Sequence, residues 1–278
     1  MKKILIIEIL ILYILNNFTV DFMNLMSQNE IFLLEEIVKK NFAAKYKDSV
    51  LGIVWSVLKP LLMMIILTII FSSIFKGMVE NYPVYLLSAR CIYDFFMGAV
   101  NVNMIVLKRN KNIFQKTFVP KYIFILGGVI SEFLNFIISF IILLGVMYVT
   151  NNPFHLLIMP LSIIPVISVI IMVLGLGFLF SILYVYYTDT QHLWSVISLM
   201  IMYSSAIFYP MAIIPQPYRQ ILELNPLFWI IDQFRAFIAY GTIPDLIYIL
   251  NSLLLSTIIL IIGIIVFKKY ESRITIKL

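Results

Sequence analysis

Four charged residues lie inside apolar stretches of the sequence: Lys59, Arg90, Asp94 and Glu132. A charge at the centre of a bilayer costs about 2.5–3.5 kcal/mol on insertion scales, so it usually has a partner or a function. Arg90 and Asp94 are four residues apart and can pair along one helix face, with Glu132 as a competing partner for Arg90. We expect Arg90, Asp94 and Glu132 to form a charge cluster that stabilises two neighbouring helices rather than contacting a substrate.

Sequence motifs for catalysis or cofactor binding are not found. The sequence has no GxxxxGK[ST] phosphate-binding loop, and Gly175 and Gly177 do not continue as a dinucleotide-binding fingerprint. These glycines are better explained as small residues that let helices approach closely. Cys91 is the sole cysteine, and His155 and His192 lie far apart in the chain, so we expect no metal site.

The overall composition is that of an integral membrane protein. Hydrophobic residues make up 62% of the 278 residues and charged residues 12%, whereas soluble domains carry about 25% charged residues. The net charge of +6 is typical of basic cytoplasmic loops facing anionic lipid headgroups. We therefore expect membrane lipids, and no nucleic acid, as the surrounding partners.

Apolar segments of membrane-spanning length predict an all-α polytopic fold with six transmembrane helices. Residues 51–267 form this transmembrane domain. The six predicted spans are Leu51–Phe75, Val84–Val106, Tyr122–Val149, Leu156–Tyr187, Leu193–Tyr209 and Leu246–Phe267.

The distribution of basic residues predicts the orientation of these spans. With the amino terminus inside, 15 of the 20 Lys and Arg residues lie on the inner side. Only Lys76, Arg219 and Arg235 lie on the outer side. Because Lys and Arg are enriched in cytoplasmic loops, both termini are predicted to be cytoplasmic, including a tail at residues 268–278.

The segment before the first span has two parts. Residues 1–29 contain Ile4–Leu15, an apolar run too short to span a membrane; we expect an uncleaved interfacial segment, or a true start at Met23 or Met26. Residues 30–50 are predicted to form a cytoplasmic interface element. Within it, Glu30–Lys47 has helical apolar spacing and basic residues near its end, which indicates an amphipathic helix at the membrane surface.

Two connections between the predicted spans have unusual composition. The cytoplasmic loop Lys108–Lys121 mixes basic residues with apolar ones. It is explained either as a loop retained in the cytoplasm by its charge or as a docking element for a soluble partner, for which its aromatic residues are suited. The outer connection Pro210–Asp245 is apolar and broken by prolines. It predicts short re-entrant helices between spans five and six, of which Leu227–Tyr240 is closed by Gly241.

Several short motifs, in a constant order over most of the chain, resemble one known family. They include KYKDSVLG at Lys45–Gly52, PVYLLS from Pro83, IFYP at Ile207–Pro210 and Asn225-Pro226. Together they resemble the membrane subunit, or permease, of type-2 ABC exporters, in the branch that exports O-antigen, capsule and teichoic-acid polysaccharides. The chain departs from the family pattern at Arg90 and Asp94.

The resemblance implies a mechanism that the residues alone do not. Such permeases form homodimers and bind two separate ATP-binding cassette subunits, which hold ATP and Mg. The permease itself is then no enzyme, and it passes a lipid-linked polysaccharide across the bacterial plasma membrane. The residues that the resemblance assigns to the interface with the ATP-binding subunits are Lys40, Lys45, Tyr46, Lys47, Lys111, Ile113, Phe114 and Phe118.

A polysaccharide conduit would use aromatic rings, because these stack on the C–H faces of sugars. Our candidates for lining the conduit, with packing between helices as the alternative, are Trp55, Tyr85, Phe95, Phe96, Tyr203, Phe208 and Tyr209. Other functions stay open from sequence: a type-2 permease for a lipid or drug, a polytopic glycosyltransferase, or an ion-coupled carrier that uses Glu132 or Asp94.

Overall fold

The computed structural model describes residues 27–46 and 49–277. The expectations for residues 1–26 and for Lys47 therefore lie outside the described residues. Helix makes up 80% of the structure, and the described ranges contain no strand, which confirms the all-α prediction. Numbered in chain order, the helices are α1 (Gln28–Tyr46), α2 (Trp55–Phe71), α3 (Tyr82–Arg109), α4 (Lys111–Lys116), α5 (Tyr122–Val149), α6 (Ile163–Tyr186), α7 (Thr190–Ser204), α8 (Gln216–Leu222), α9 (Pro226–Arg235) and α10 (Leu246–Lys277).

Helix α3 forms the centre of the fold and packs against α5, α6 and α9. The side-chain oxygen of Asn81 caps its first turn by accepting a hydrogen bond from the Val84 N–H at 3.4 Å, and Pro83 follows the cap. Most side chains of α3 are buried from Tyr82 to Leu107. Helix α3 is therefore the central helix against which α5, α6 and α9 pack.

Glycine residues bring α6 and α10 together in the most extensive helix contact of the described chain. A Cβ atom on Gly263 would lie 2.2 Å from the carbonyl oxygen of Gly175, and one on Gly175 would lie 2.6 Å from the backbone nitrogen of Leu260. Backbones this close leave no room for a side chain. The predicted role of Gly175 in close helix approach is confirmed.

Four helical segments are long and apolar enough to cross a membrane: α3, α5, α10, and α6 with the 3₁₀ turn Met159–Ser162 that precedes it. They confirm four of the six predicted spans. The other two predicted spans contain α2, of 17 residues, and α7, of 15 residues. Helix α7 is shorter than predicted because the chain breaks at Ala206, which has a left-handed φ of 48°. The count of six stays a prediction.

Helix α1 is the predicted amphipathic helix, and it lies along α5. Its start is capped reciprocally: the Ser27 N–H donates to Glu30 Oε2 at 2.8 Å, and the Glu30 N–H donates to Ser27 Oγ at 3.4 Å. The hydrogen bond from the Ser27 backbone lowers the pKa of Glu30. Ile37 is the buried centre of the apolar face, seated where Gly127 of α5 has no side chain.

The connection between α7 and α10 is folded onto the other helices. Helix α9 buries Leu227, Ile230 and Phe234 and contacts α3, α6 and α10. It continues as a π-helical turn, Ala236–Tyr240, that ends at Gly241 with φ 61°. The predicted helix closed by Gly241 is confirmed. At the other end of α10, residues 268–277, predicted as a tail, continue the helix and bury Ile274.

Candidate functional site

A cavity of about 490 Å³ lies between the end of α1 and helices α2, α3 and α5. Five charged side chains line it: Lys45, Lys59, Arg90, Asp94 and Glu132. The three members of the predicted charge cluster therefore face one common space. Lys45, which sequence reasoning had assigned to the partner interface, joins them there together with Lys59.

Two ion pairs are present at this cavity. Arg90 Nη2 lies 2.7 Å from Asp94 Oδ1 on the same face of α3, as their four-residue spacing predicts. Lys45 Nζ lies 2.8 Å from Glu132 Oε2, and the Asn135 amide donates to the same oxygen at 3.2 Å. Glu132 thus pairs with Lys45 of α1 and not with Arg90, the residue for which it was expected to compete with Asp94.

The Lys45–Glu132 pair depends on how α1 lies along α5. The Tyr122 hydroxyl donates to Glu30 Oε1 at 2.9 Å near the start of α1, and the lysine reaches Glu132 near the end of α1. Between them, Ile37 packs where a Cβ on Gly127 would lie only 2.5 Å away. This register turns Lys45 into the cavity. No local sequence signal indicates a pair between residues 87 positions apart.

The predicted interface residues on α1 are only partly available for a partner subunit. Lys45 is committed to Glu132, and Lys40 donates to Asn110 Oδ1 at 3.3 Å. The side chain of Tyr46 lies outside the described residues, as does Lys47. Their assignment to the interface stays a prediction.

The predicted interface residues after α3 divide into an exposed and a buried group. Phe118 is fully exposed. Lys111, seven residues earlier in the same connecting segment, is also exposed. Phe114 is buried instead, with its ring centroid 4.8 Å from that of Phe124, and Ile113 is half-buried. Burial of Phe114 against Phe124 anchors α4 to α5, whereas Phe118 is left exposed, and the assignment of both to the interface stays a prediction.

Two of the aromatic conduit candidates, Trp55 and Phe95, line the cavity, and Phe96 is next to Phe95 in sequence but is not part of the lining. Trp55 is exposed and lines it, and Phe95 lines it while remaining buried. Phe96 points to the other side of α3, where it packs on Trp194 with ring centroids 6.2 Å apart. Trp55 and Phe95 therefore share a wall with the charged residues, whereas Phe96 is separated from them.

The other four candidates gather at the opposite end of α3, where α7 stops. Tyr85 is buried, and its hydroxyl donates to the carbonyl oxygens of Ala206 at 3.1 Å and Tyr209 at 2.6 Å. The Tyr209 hydroxyl donates to the Tyr203 carbonyl, and the rings of Tyr203 and Phe208 lie 6.3 Å apart. We call this group, with Arg235, the outer junction.

Arg235 holds the outer junction together, although sequence reasoning assigned it no such role. It is 2% exposed, and its guanidinium donates to the carbonyls of Tyr85 at 3.2 Å, Ala206 at 2.9 Å and Ile207 at 3.0 Å. Its Cζ lies 3.6 Å from the centroid of the Tyr85 ring. The helix break after α7 leaves the Ala206 and Ile207 carbonyls without helical partners, and the planar fork of an arginine can bind several carbonyls at once.

Four long apolar helices and a charged cavity between helices define a polytopic membrane protein. Residues 33–239 match the family described as ABC-2 type transporter, so the chain belongs to that family. It is a transport subunit, and ATP hydrolysis is carried by a separate ATP-binding partner. The predicted family is confirmed.

Curated relatives match along most of the chain. An O-antigen export system permease protein, RfbA, of Klebsiella pneumoniae is 26% identical over 243 residues, which is 87% of this chain and 93% of that protein. RfbA of Myxococcus xanthus is 22% identical over 77% of this chain and 82% of that protein. The polysialic acid transport protein KpsM of Escherichia coli is 22% identical over 86% and 93% of the two chains.

Proposed function

We propose that this chain is the permease of an ATP-driven exporter that moves a lipid-linked cell-surface polysaccharide across the bacterial plasma membrane. The observation that carries the proposal is the near full-length similarity to permeases named for O-antigen and polysialic acid transport. A cavity that combines charged groups with Trp55 and Phe95 supports it, because phosphorylated glycans require both kinds of contact.

The proposed orientation places both termini in the cytoplasm and gives the chain six spans. Helices α2 and α7 supply the first and fifth, and both expose apolar faces suited to lipid or protein. Helices α8 and α9 form the re-entrant outer element. Burial of Leu227 and Phe234 against the long helices supports this assignment.

We further propose that two copies of the chain form the exporter, with the loosely packed α2 and α7 at the contact. No residue of α2 is buried in the single chain, and only Thr190 and Trp194 are buried on α7. A glycan conduit between two copies would use Trp55 and Tyr203, which are exposed, more readily than the buried Phe96.

Two ATP-binding subunits dock on the segment that bears Lys111 and Phe118. ATP and Mg bind those subunits, and this chain holds no cofactor. A fully exposed phenylalanine beside basic residues is typical of a docking surface.

Co-purification tests the docking proposal. Phe118→Ala should reduce the amount of ATP-binding subunit recovered with the permease by about tenfold, because exposed aromatic anchors often contribute more than 1 kcal/mol to an interface. Phe154→Ala, which removes a partly exposed phenylalanine from the opposite end of the helices, serves as the matched control. Equal recovery with Phe118→Ala and wild type would refute the docking surface.

Deletion of the gene tests the substrate class. The proposal predicts accumulation of a lipid-linked glycan inside the cell, measured by extraction of carrier lipids and analysis of their sugars. Normal surface polysaccharide with no such accumulation would instead indicate a permease for a lipid or drug.

A further inference from the structure

The cavity beside α2 has an excess of positive charge. Its lining contains three cations and two carboxylates, and each carboxylate is already paired: Asp94 with Arg90, and Glu132 with Lys45. Lys59 makes no ion pair or hydrogen bond with any residue in the described ranges 27–46 and 49–277. Among the described lining residues, the cations therefore exceed the carboxylates by one, and Lys59 is the cation that makes no ion pair.

An unpaired ammonium group is costly at membrane depth, and an anionic ligand would remove this cost. Lys59 is close enough to Asp94 to act on it electrostatically, so it faces the charged side of the cavity and not only the lipid. The cavity volume of about 490 Å³ lies within the range of roughly 300–1,000 Å³ that is usual for small-molecule sites. A phosphate or diphosphate with its first attached group would fit.

The other walls indicate that the ligand is amphiphilic. Met63, Met64 and Phe136 form an apolar side, whereas Trp55 offers a ring suitable for a sugar. Helix α2 buries none of its residues, so the cavity is bounded on one side by a helix whose outer face is apolar and exposed. A lipid tail can lie along that face while its head group occupies the cavity.

We propose that this cavity binds the phosphate group of a membrane-anchored phosphate ester, with Lys59 as the cation that pairs with it. Arg90 and Lys45, each held by its own carboxylate, shape the site and supply further N–H donors. The ligand is either the carrier lipid of the exported glycan or a bulk phospholipid. The first alternative rests on the proposed function, and the second does not.

Titration of the full chain in phosphatidylcholine nanodiscs with farnesyl diphosphate tests the site. Lys59→Met should weaken binding by about tenfold, the loss of one charge-assisted hydrogen bond. Lys59→Arg should retain affinity within about threefold because it keeps the charge. Lys76→Met, which removes an exposed lysine from the turn after α2, should bind like wild type. Unchanged binding by Lys59→Met, or equal binding of farnesol, would overturn the proposal.

A second titration distinguishes the two lipids. If discs of phosphatidylglycerol abolish farnesyl diphosphate binding to wild type and not to Lys59→Met, the site belongs to bulk phospholipid. If the affinity is unchanged in those discs, the site selects an isoprenyl diphosphate. Neither titration requires the ATP-binding partner, so failure of the binding site and failure of the export function are measured separately.

Discussion

At the scale of single residues, Arg235 illustrates how a buried charge can be satisfied without a carboxylate. Its guanidinium donates to the carbonyl of Tyr85 in α3 and to the carbonyls of Ala206 and Ile207, which lie at the break after α7. Asp232, three residues earlier, forms no ion pair with it within the described residues. The guanidinium therefore stabilises the backbone at the break after α7 by hydrogen bonds to its carbonyls, and within the described chain it does not form an ion pair with Asp232.

Replacing Arg235 with lysine should lower the stability of the folded chain by about 2–4 kcal/mol, because a lysine cannot reach three diverging carbonyls. Thermal unfolding in detergent measures the effect. Arg219→Lys is the matched control, since Arg219 donates to a single carbonyl, that of Met211, and should change stability much less. Equal losses for the two variants would contradict this role of Arg235.

The Lys45–Glu132 pair makes a separate residue-level prediction. A double-mutant cycle with Lys45→Met and Glu132→Gln should give a coupling energy of about 1–3 kcal/mol, because Glu132 is nearly buried. The same cycle for Lys39 and Glu36, an exposed pair within α1 at 3.0 Å, should give at most about 0.5 kcal/mol. A coupling near zero for Lys45 and Glu132 would show that the pair does not hold α1 to α5.

At the scale of helices, the contact between α6 and α10 depends on backbone proximity. Gly175 and Gly263 face each other so closely that either Cβ would meet the opposite backbone. In a bilayer, such proximity replaces the hydrophobic effect as the source of helix association. The packing of α6 against α10 is therefore disturbed by a single methyl group added at either glycine.

Gly263→Ala should destabilise the fold by about 1–3 kcal/mol through overpacking against Gly175. Gly145→Ala on α5 is the matched control, because nothing lies within 4 Å of the added Cβ. It should stabilise the helix by about 0.5–1 kcal/mol. Thermal unfolding of both variants gives the comparison, and changes of the same sign would contradict the packing argument.

At the scale of the whole molecule, α2 and α7 are helices whose surfaces remain largely unburied within the single chain. Helix α7 contacts α3 and α6 only lightly, and Leu193, Met200 and Tyr203 point outward. A helix of 15 residues is short for independent insertion. A second copy that covers this face would explain both its length and its exposure.

Cysteine cross-linking tests the dimer. In a Cys91→Ala background, Met200→Cys on α7 should give a covalent dimer in membranes with a short bifunctional reagent. Ile261→Cys, on the exposed apolar face of α10, should remain monomeric. Covalent dimers formed by Ile261→Cys and not by Met200→Cys would contradict the proposed contact and indicate one at the exposed face of α10.

Much of the fold could be predicted from the sequence because its signals are local. Hydropathy located α3, α5 and α6 within a few residues and the start of α10, whereas α10 continues through the predicted tail to Lys277. Gly241 marked the end of the helix that follows Pro226. Helix α7 ended five residues before its predicted limit at Tyr209, because apolar composition continues through a backbone break that hydropathy does not detect. Local composition is a poor guide where tertiary contacts set the backbone.

The candidate site was predicted only in part, for the same reason. Arg90 and Asp94 were paired correctly since one helical turn joins them. Glu132 was considered only as a partner of Arg90, and Lys45 was placed at the cytoplasmic interface alone, whereas the two form an ion pair with each other. Both errors concern residues whose partners lie on different helices.

The sequence by itself determined that this chain is an all-helical membrane protein, which family it resembles, and which residues pair within one helix. These properties depend on composition and on spacings of a few residues. Only the tertiary structure decided that Lys45 meets Glu132, that Arg235 holds the outer junction, and that Lys59 faces a charged cavity. Such contacts join distant parts of the chain, and the packing of whole helix faces selects them.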